Sequence, residues 1–182
     1  MSERPMSLMM RKMRAQDASE AASKQTPIAS DHSSENDKPQ YPFRRAYYFF
    51  YGTLMDPDTL SQVLKLPRPH IPPVMRRARV VGYEIKLWGP YPALIEKNTS
   101  SLQSVNGIAY EILPQTQVDR LAANETGKYC LRSCMIDLLN DDDNVQETIH
   151  GLTFLWDGEH GEQRDGTFDL KQWKKKQLRD LD

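Results

Sequence analysis

The 182-residue chain has only two cysteines, Cys130 and Cys134, four scattered histidines and no long apolar run. Two thiols are too few for a disulfide-stapled scaffold or a structural zinc site, and no histidine stands at ligand spacing from them. If both cysteines share a strand, four residues at ~3.3 Å each hold them about 13 Å apart, beyond the reach of a disulfide, so free thiols are expected. Apolar runs of a few residues fall far short of the ~20 needed to span a bilayer, and no membrane segment is expected. An excess of positive charge is also missing. With 24 Lys+Arg against 25 Asp+Glu, the formal net charge of -1 does not provide the long-range field of a nucleic-acid binder. The expected partners are small molecules.

The first segment is poor in aromatic and β-branched residues. Residues 1 to about 40 carry six basic and six acidic side chains among Ser, Ala and Gln, too little apolar surface to offset the ordering of the chain, so residues 1–44 are expected to be a disordered tail. Met6 to Met10 followed at once by Arg11, Lys12 and Arg14 has the wrong order and length for a secretory signal, and Glu3, Asp17 and Glu20 argue against a transit peptide. A cytoplasmic location is the resulting expectation. The character changes at Tyr41-Pro42-Phe43, and one domain is expected over 45–182.

Ala46 to Tyr51 is aromatic-dense and fits a strand buried on both faces. Gly52-Thr53 ends it, and Asp56-Pro57-Asp58 has the form of a helix start, with a capping Asp, Pro at the first helical position and an acidic first turn. Prolines 67, 69, 72 and 73 forbid regular structure until Arg77–Trp88, a run whose later half alternates as a strand does. Short strands are expected at Ala93–Glu96 and Val105–Ile112. The period then changes to 3.6: Val118, Leu121, Ala122 and Glu125 fall on one helical face, and Gly127 is expected to end that helix. Lys128–Leu139 and Val145–Trp156 read as an antiparallel hairpin around Asn140–Asn144. A last helix is capped by Asp169, with Leu170, Trp173, Leu178 and Leu181 as a partial apolar stripe beside Lys174, Lys175 and Lys176. The expected fold class is α+β, a small, mainly antiparallel β-barrel with flanking helices.

Two places stand out chemically. Glu125 occupies the apolar stripe where a fourth hydrophobic residue is expected. Partial desolvation there would raise its pKa toward neutrality, as suits a group that both takes and gives a proton; the alternative is that it turns outward to water at the helix end. The other place is Tyr51-Gly52-Thr53-Leu54, where a strand leads through Gly into a helix. Backbone N–H groups near Thr53 and Leu54 lack ladder partners and could meet an anion, or the segment is a plain turn using Gly for its backbone freedom. A nucleotide-binding loop needs more glycines. Asp141-Asp142-Asp143 lacks the spaced ligands of a calcium loop and reads as a solvated turn. The Lys174–Lys176 run reads as a solvated helix face.

The order and spacing of Phe49 to Leu54, Tyr91-Pro92-Ala93-Leu94, Val105 to Glu111, and Leu121-Ala122-Ala123-Asn124-Glu125 followed by Tyr129 resemble the γ-glutamylcyclotransferase superfamily, in particular its plant and fungal avirulence-induced branch. The resemblance spans about residues 47 to 156. It implies that Tyr51, Gly52, Thr53 and Leu54 line a substrate site together with Tyr129, and that Glu125 is the catalytic acid/base. It also implies an enzyme that cyclises a γ-glutamyl group to 5-oxoproline without metal or other cofactor. The sequence departs from the family pattern at Asn124, where relatives carry an aromatic residue before the Glu, and in having no tyrosine after Tyr129. The competing expectations are a non-catalytic binding module on the same barrel and an interaction adaptor using the tail and the C-terminal helix.

Overall fold

A computed structural model describes residues 45–67, 73–97, 102–125, 127–159 and 161–179. The expected tail, His32, His70, His160 and Leu181 lie outside the described residues. Among the described residues, seven strands and three helices follow in the order β1 (Ala46–Phe50), a 3-10 turn (Thr53–Met55), α1 (Pro57–Leu64), β2 (Arg76–Val81), β3 (Tyr83–Trp88), β4 (Tyr91–Glu96), β5 (Ser104–Ile112), α2 (Gln115–Asn124), β6 (Tyr129–Leu139), β7 (Val145–Trp156) and α3 (Leu170–Arg179).

Five strands close a barrel in the order β1-β5-β2-β6-β7, while β3 and β4 form a separate antiparallel hairpin. All barrel pairs are antiparallel except β1 with β7. The fold is therefore the expected α+β barrel with helices at its margin. β1 alternates as a strand buried on both faces must. Phe49 belongs to the barrel core with Val80, Leu94, Ala109, Ile136 and Leu138, and Tyr47 and Tyr51 pack against that cluster from the same face. Tyr48 and Phe50 are buried on the opposite face, in ring contact with each other. Across β6 the same period places Cys134, Ile136 and Leu138 inside and leaves Met135 exposed.

Close approach of β1 to its neighbours in this small barrel depends on residues without a side chain, Gly107 on one side and Gly151 on the other. A Cβ on Gly107 of β5 would lie 2.2 Å from the carbonyl oxygen of Phe50 and 2.7 Å from the Phe49 ring, so β1 and β5 meet there only because the position is glycine.

Two expectations are corrected. Arg77–Trp88 is not one strand: Gly82 adopts φ +86 and breaks it into β2 of the barrel and β3 of the hairpin, a conformation that only Gly takes at little cost. α2 ends at Asn124, before Gly127, with Glu125 as its C-cap in extended backbone (φ -78, ψ 155). On its buried face Leu121 is joined by Gln117, whose Oε1 accepts the Leu113 N–H at 3.3 Å, while Ala122 is exposed. A polar residue that satisfies a free N–H before the helix replaced the alanine of the expected stripe. The other helix starts match the reading. The Asp56 carboxylate accepts from Thr59 N–H at 3.1 Å, and the Asp169 carboxylate accepts from Gln172 N–H at 3.0 Å. The turn Asn140–Asn144 is closed by the Asn140 side chain, which accepts from Asp142 and Asn144 N–H.

Candidate active site

β1 delivers Tyr51 to the end of the barrel core, stacked on Phe49 with ring centroids 6.4 Å apart. The chain then turns sharply, with Met55 N–H donating to Gly52 O and Asp56 N–H to Thr53 O. Among the described residues the N–H groups of Thr53 and Leu54 find no protein acceptor. Gly52 is required for space: its φ is -128, and a Cβ would lie 2.9 Å from Cγ of Pro92 in β4. The turn is thus pressed against the Tyr91–Leu94 strand. The Leu54 side chain is buried, so its backbone alone is left to meet a ligand.

Glu125 and Tyr129 arrive from the other direction, at the end of α2 and the start of β6. Glu125 N–H continues the helix ladder to Leu121 O at 3.0 Å, which fixes the backbone and leaves the side chain to its surroundings. That side chain is partly buried, and no hydrogen bond or ion pair reaches its carboxylate among the described residues. Burial without a partner penalises the charged form, and its pKa is pushed up to about 7.

Two phenols face the same region. The Tyr51 hydroxyl donates to Phe154 O at 2.6 Å, and the Tyr129 hydroxyl donates to Pro92 O at 3.1 Å. Burial pushes both phenols above their ordinary range, and the neighbouring Glu125 carboxylate adds to the rise in each. Tyr129 is steadied edge-on by Trp156 at 5.4 Å, which in turn packs on Trp88 at 5.1 Å. Both tyrosines are therefore locked, neutral donors rather than bases.

Of the residues expected at a site, Tyr51, Tyr129 and Glu125 come together as electrostatic neighbours, with the Gly52–Leu54 turn following directly on Tyr51. Sequence reasoning missed the carbonyls of Pro92 and Phe154, which orient the phenols. It also missed a cleft of about 420 Å³ bordered by Tyr51, Met55, Glu84, Asn106, Thr167 and Phe168. Backbone acceptors leave no mark on side-chain patterns, and the cleft draws on four separate stretches of chain.

No group of three or more His, Cys, Asp or Glu side chains is arranged to hold a metal among the described residues. Both cysteines are free, and burial pushes the Cys134 thiol up to about 12, so it does not offer a thiolate. No helix among the described residues is long and apolar enough to cross a membrane.

Among curated proteins no sequence match is found. Two Arabidopsis thaliana proteins solved in solution share the fold. One has TM-score 0.54 and 19% identity, covering 82% of this chain and 81% of that protein; the other has TM-score 0.51 and 20% identity, covering 79% and 90%. The model of the family described as "Gamma-glutamyl cyclotransferase, AIG2-like" matches residues 48–175, a span that runs from β1 through the barrel into α3. The chain belongs to the AIG2-like γ-glutamyl cyclotransferase family.

Proposed function

We propose that the protein is a γ-glutamylcyclotransferase acting on a γ-glutamyl peptide or γ-glutamylamine, with Glu125 as its acid/base. The observation that carries this reading is the lone Glu125 carboxyl, raised to about 7 by burial, beside two phenols fixed on backbone carbonyls. A group with that pKa is available in both protonation states near neutral pH.

The chemistry needs little else. The carboxylate takes a proton from the substrate's α-ammonium, and the freed amine attacks the γ-carbonyl carbon of the same molecule. The C–N bond to the departing amine breaks as Glu125 returns that proton to it, and the second proton shed by the former ammonium passes by the same route, leaving 5-oxoproline and the departing amine as its ammonium. Because nucleophile and electrophile share one molecule, holding the chain folded back on itself supplies much of the acceleration. The unpaired N–H groups of Thr53 and Leu54 would meet the developing oxyanion or the α-carboxylate. No cofactor is called for in this scheme.

The test is a panel of glutathione, γ-glutamyl dipeptides and γ-glutamylamines offered to the purified full-length protein, with 5-oxoproline as the readout. Release from at least one class is expected. Binding of panel members without any 5-oxoproline would instead make the chain a non-catalytic binding module.

A further inference from the structure

α3 is strongly basic, yet its cations do not all face water in the same way. Lys174 reaches back to Asp56, Nζ to Oδ1 at 2.7 Å. Lys175, Lys176 and Arg179 instead join Arg164 around a cleft of about 700 Å³ formed against the turn between β3 and β4. Arg164 is fixed in place, its backbone exchanging hydrogen bonds with Leu87 at 2.8 and 2.9 Å and its guanidinium donating to Gly89 O at 3.3 Å. Among the described residues the only carboxylate lining the cleft, Asp169, already accepts the Gln172 N–H as the cap of α3. Among the described residues, none of the four cations has a carboxylate partner.

Four like charges around one concavity repel each other, and two of them in the last turn of α3 are only partly compensated by the helix dipole. A concave wall concentrates their field and raises the local concentration of anions. Phe168 and Trp173 give the cleft an apolar side, and the Trp173 indole N–H is buried without an acceptor. Neither the barrel nor the Glu125 site needs these cations.

We propose that this cleft binds a small organic anion carrying two or more anionic oxygens, phosphate or carboxylate, on a compact body that rests against the aromatic side. The concavity favours a small ligand over a flat or extended macromolecule. The cleft's role is independent of the cyclotransferase reading, although Thr167 and Phe168 line both it and the cleft beside Tyr51.

Calorimetric titration of the full-length protein with tripolyphosphate and, separately, with citrate tests this at low and at physiological salt. Saturable one-to-one binding of either probe is expected, and the stronger of the two identifies the oxygen acid. Lys175→Gln combined with Arg179→Gln should weaken it about tenfold or more, the scale of losing one or two charge-assisted hydrogen bonds. Lys171→Gln removes the same charge from the same helix but outside the cleft, and should leave affinity within about twofold. All these side chains are exposed, so the variants should melt with the parent. Absence of saturable binding to both probes overturns the proposal. So does equal weakening by Lys171→Gln, or binding confined to a single-stranded RNA or to anionic vesicles.

Discussion

Asp56 and Glu125 are both largely withdrawn from water, both at helix ends, and opposite in behaviour. Burial alone would raise Asp56, but hydrogen bonds from Lys174 and Thr59, together with the Lys174 charge, overcome it and hold the carboxyl below its ordinary value. Glu125 has burial without such partners and is raised to about 7. The two differ above all in company, and that difference separates a carboxylate that builds structure from one free to exchange a proton.

The sharpest way to break this contrast is Glu125→Gln, which keeps the shape and removes the proton carrier. Release of 5-oxoproline should fall about a hundredfold or more, while melting at pH 8 holds or rises because a neutral amide avoids the desolvation cost. Parental turnover in a folded variant would take Glu125 out of the mechanism. Asp56→Ala should do the reverse. Loss of a helix cap costs about 1–2 kcal/mol, visible as a lower denaturation midpoint, with a smaller loss for Lys174→Met, whose side chain is 46% exposed.

Proton linkage sharpens the comparison. A carboxyl raised in the folded state binds its proton more tightly there, so Glu125 makes stability fall as pH rises from its ordinary value near 4.5 to about 7. The expected loss is about 1–3 kcal/mol. Asp56 works the other way: its contribution is present above its ordinary value near 3.8 and is lost as pH falls through its lower folded value. Denaturation curves across pH should show Glu125→Gln flattening the first region and Asp56→Asn the second. The smallest effect belongs to the cysteines. Cys134 is also raised by burial yet has no place in the chemistry, so replacing Cys130 and Cys134 by Ser should leave turnover within a few-fold. A larger drop without unfolding would mean that the acid/base has been misassigned.

These carboxylates also mark how far the sequence can be read. Asp56 before Pro57, the double-sided burial of Ala46–Phe50 and the β6–β7 hairpin are local patterns, visible in a few neighbouring residues, and they fixed the barrel class. Glu125 was noticeable as a charge in an apolar register. Tyr129 lies close to it in the chain, but its nearness to Tyr51 came from family likeness, because no periodicity links residues so far apart. The Lys174–Asp56 pair spans 118 positions and had no local signal, so three consecutive lysines read as a uniform solvated face when one ties α3 to the turn after Leu54. Gly82 and Gly107 show the same limit. Both are plain glycines in the chain, but one breaks a strand by its φ and the other lets two backbones touch.

The parallel seam between β1 and β7 has a kinetic meaning. Tyr47 to Phe49 pair with Gly151 to Thr153, and Thr153 Oγ1 donates to Phe49 O at 3.1 Å across the seam. The first barrel strand therefore cannot gain its second neighbour until the last has been made. On a ribosome adding about 5–20 residues per second, an aromatic strand waits several seconds with an open edge. Closing a loop of that length is what slows folding in such topologies, and the hazard during that interval is association of unpaired β1 edges between nascent chains.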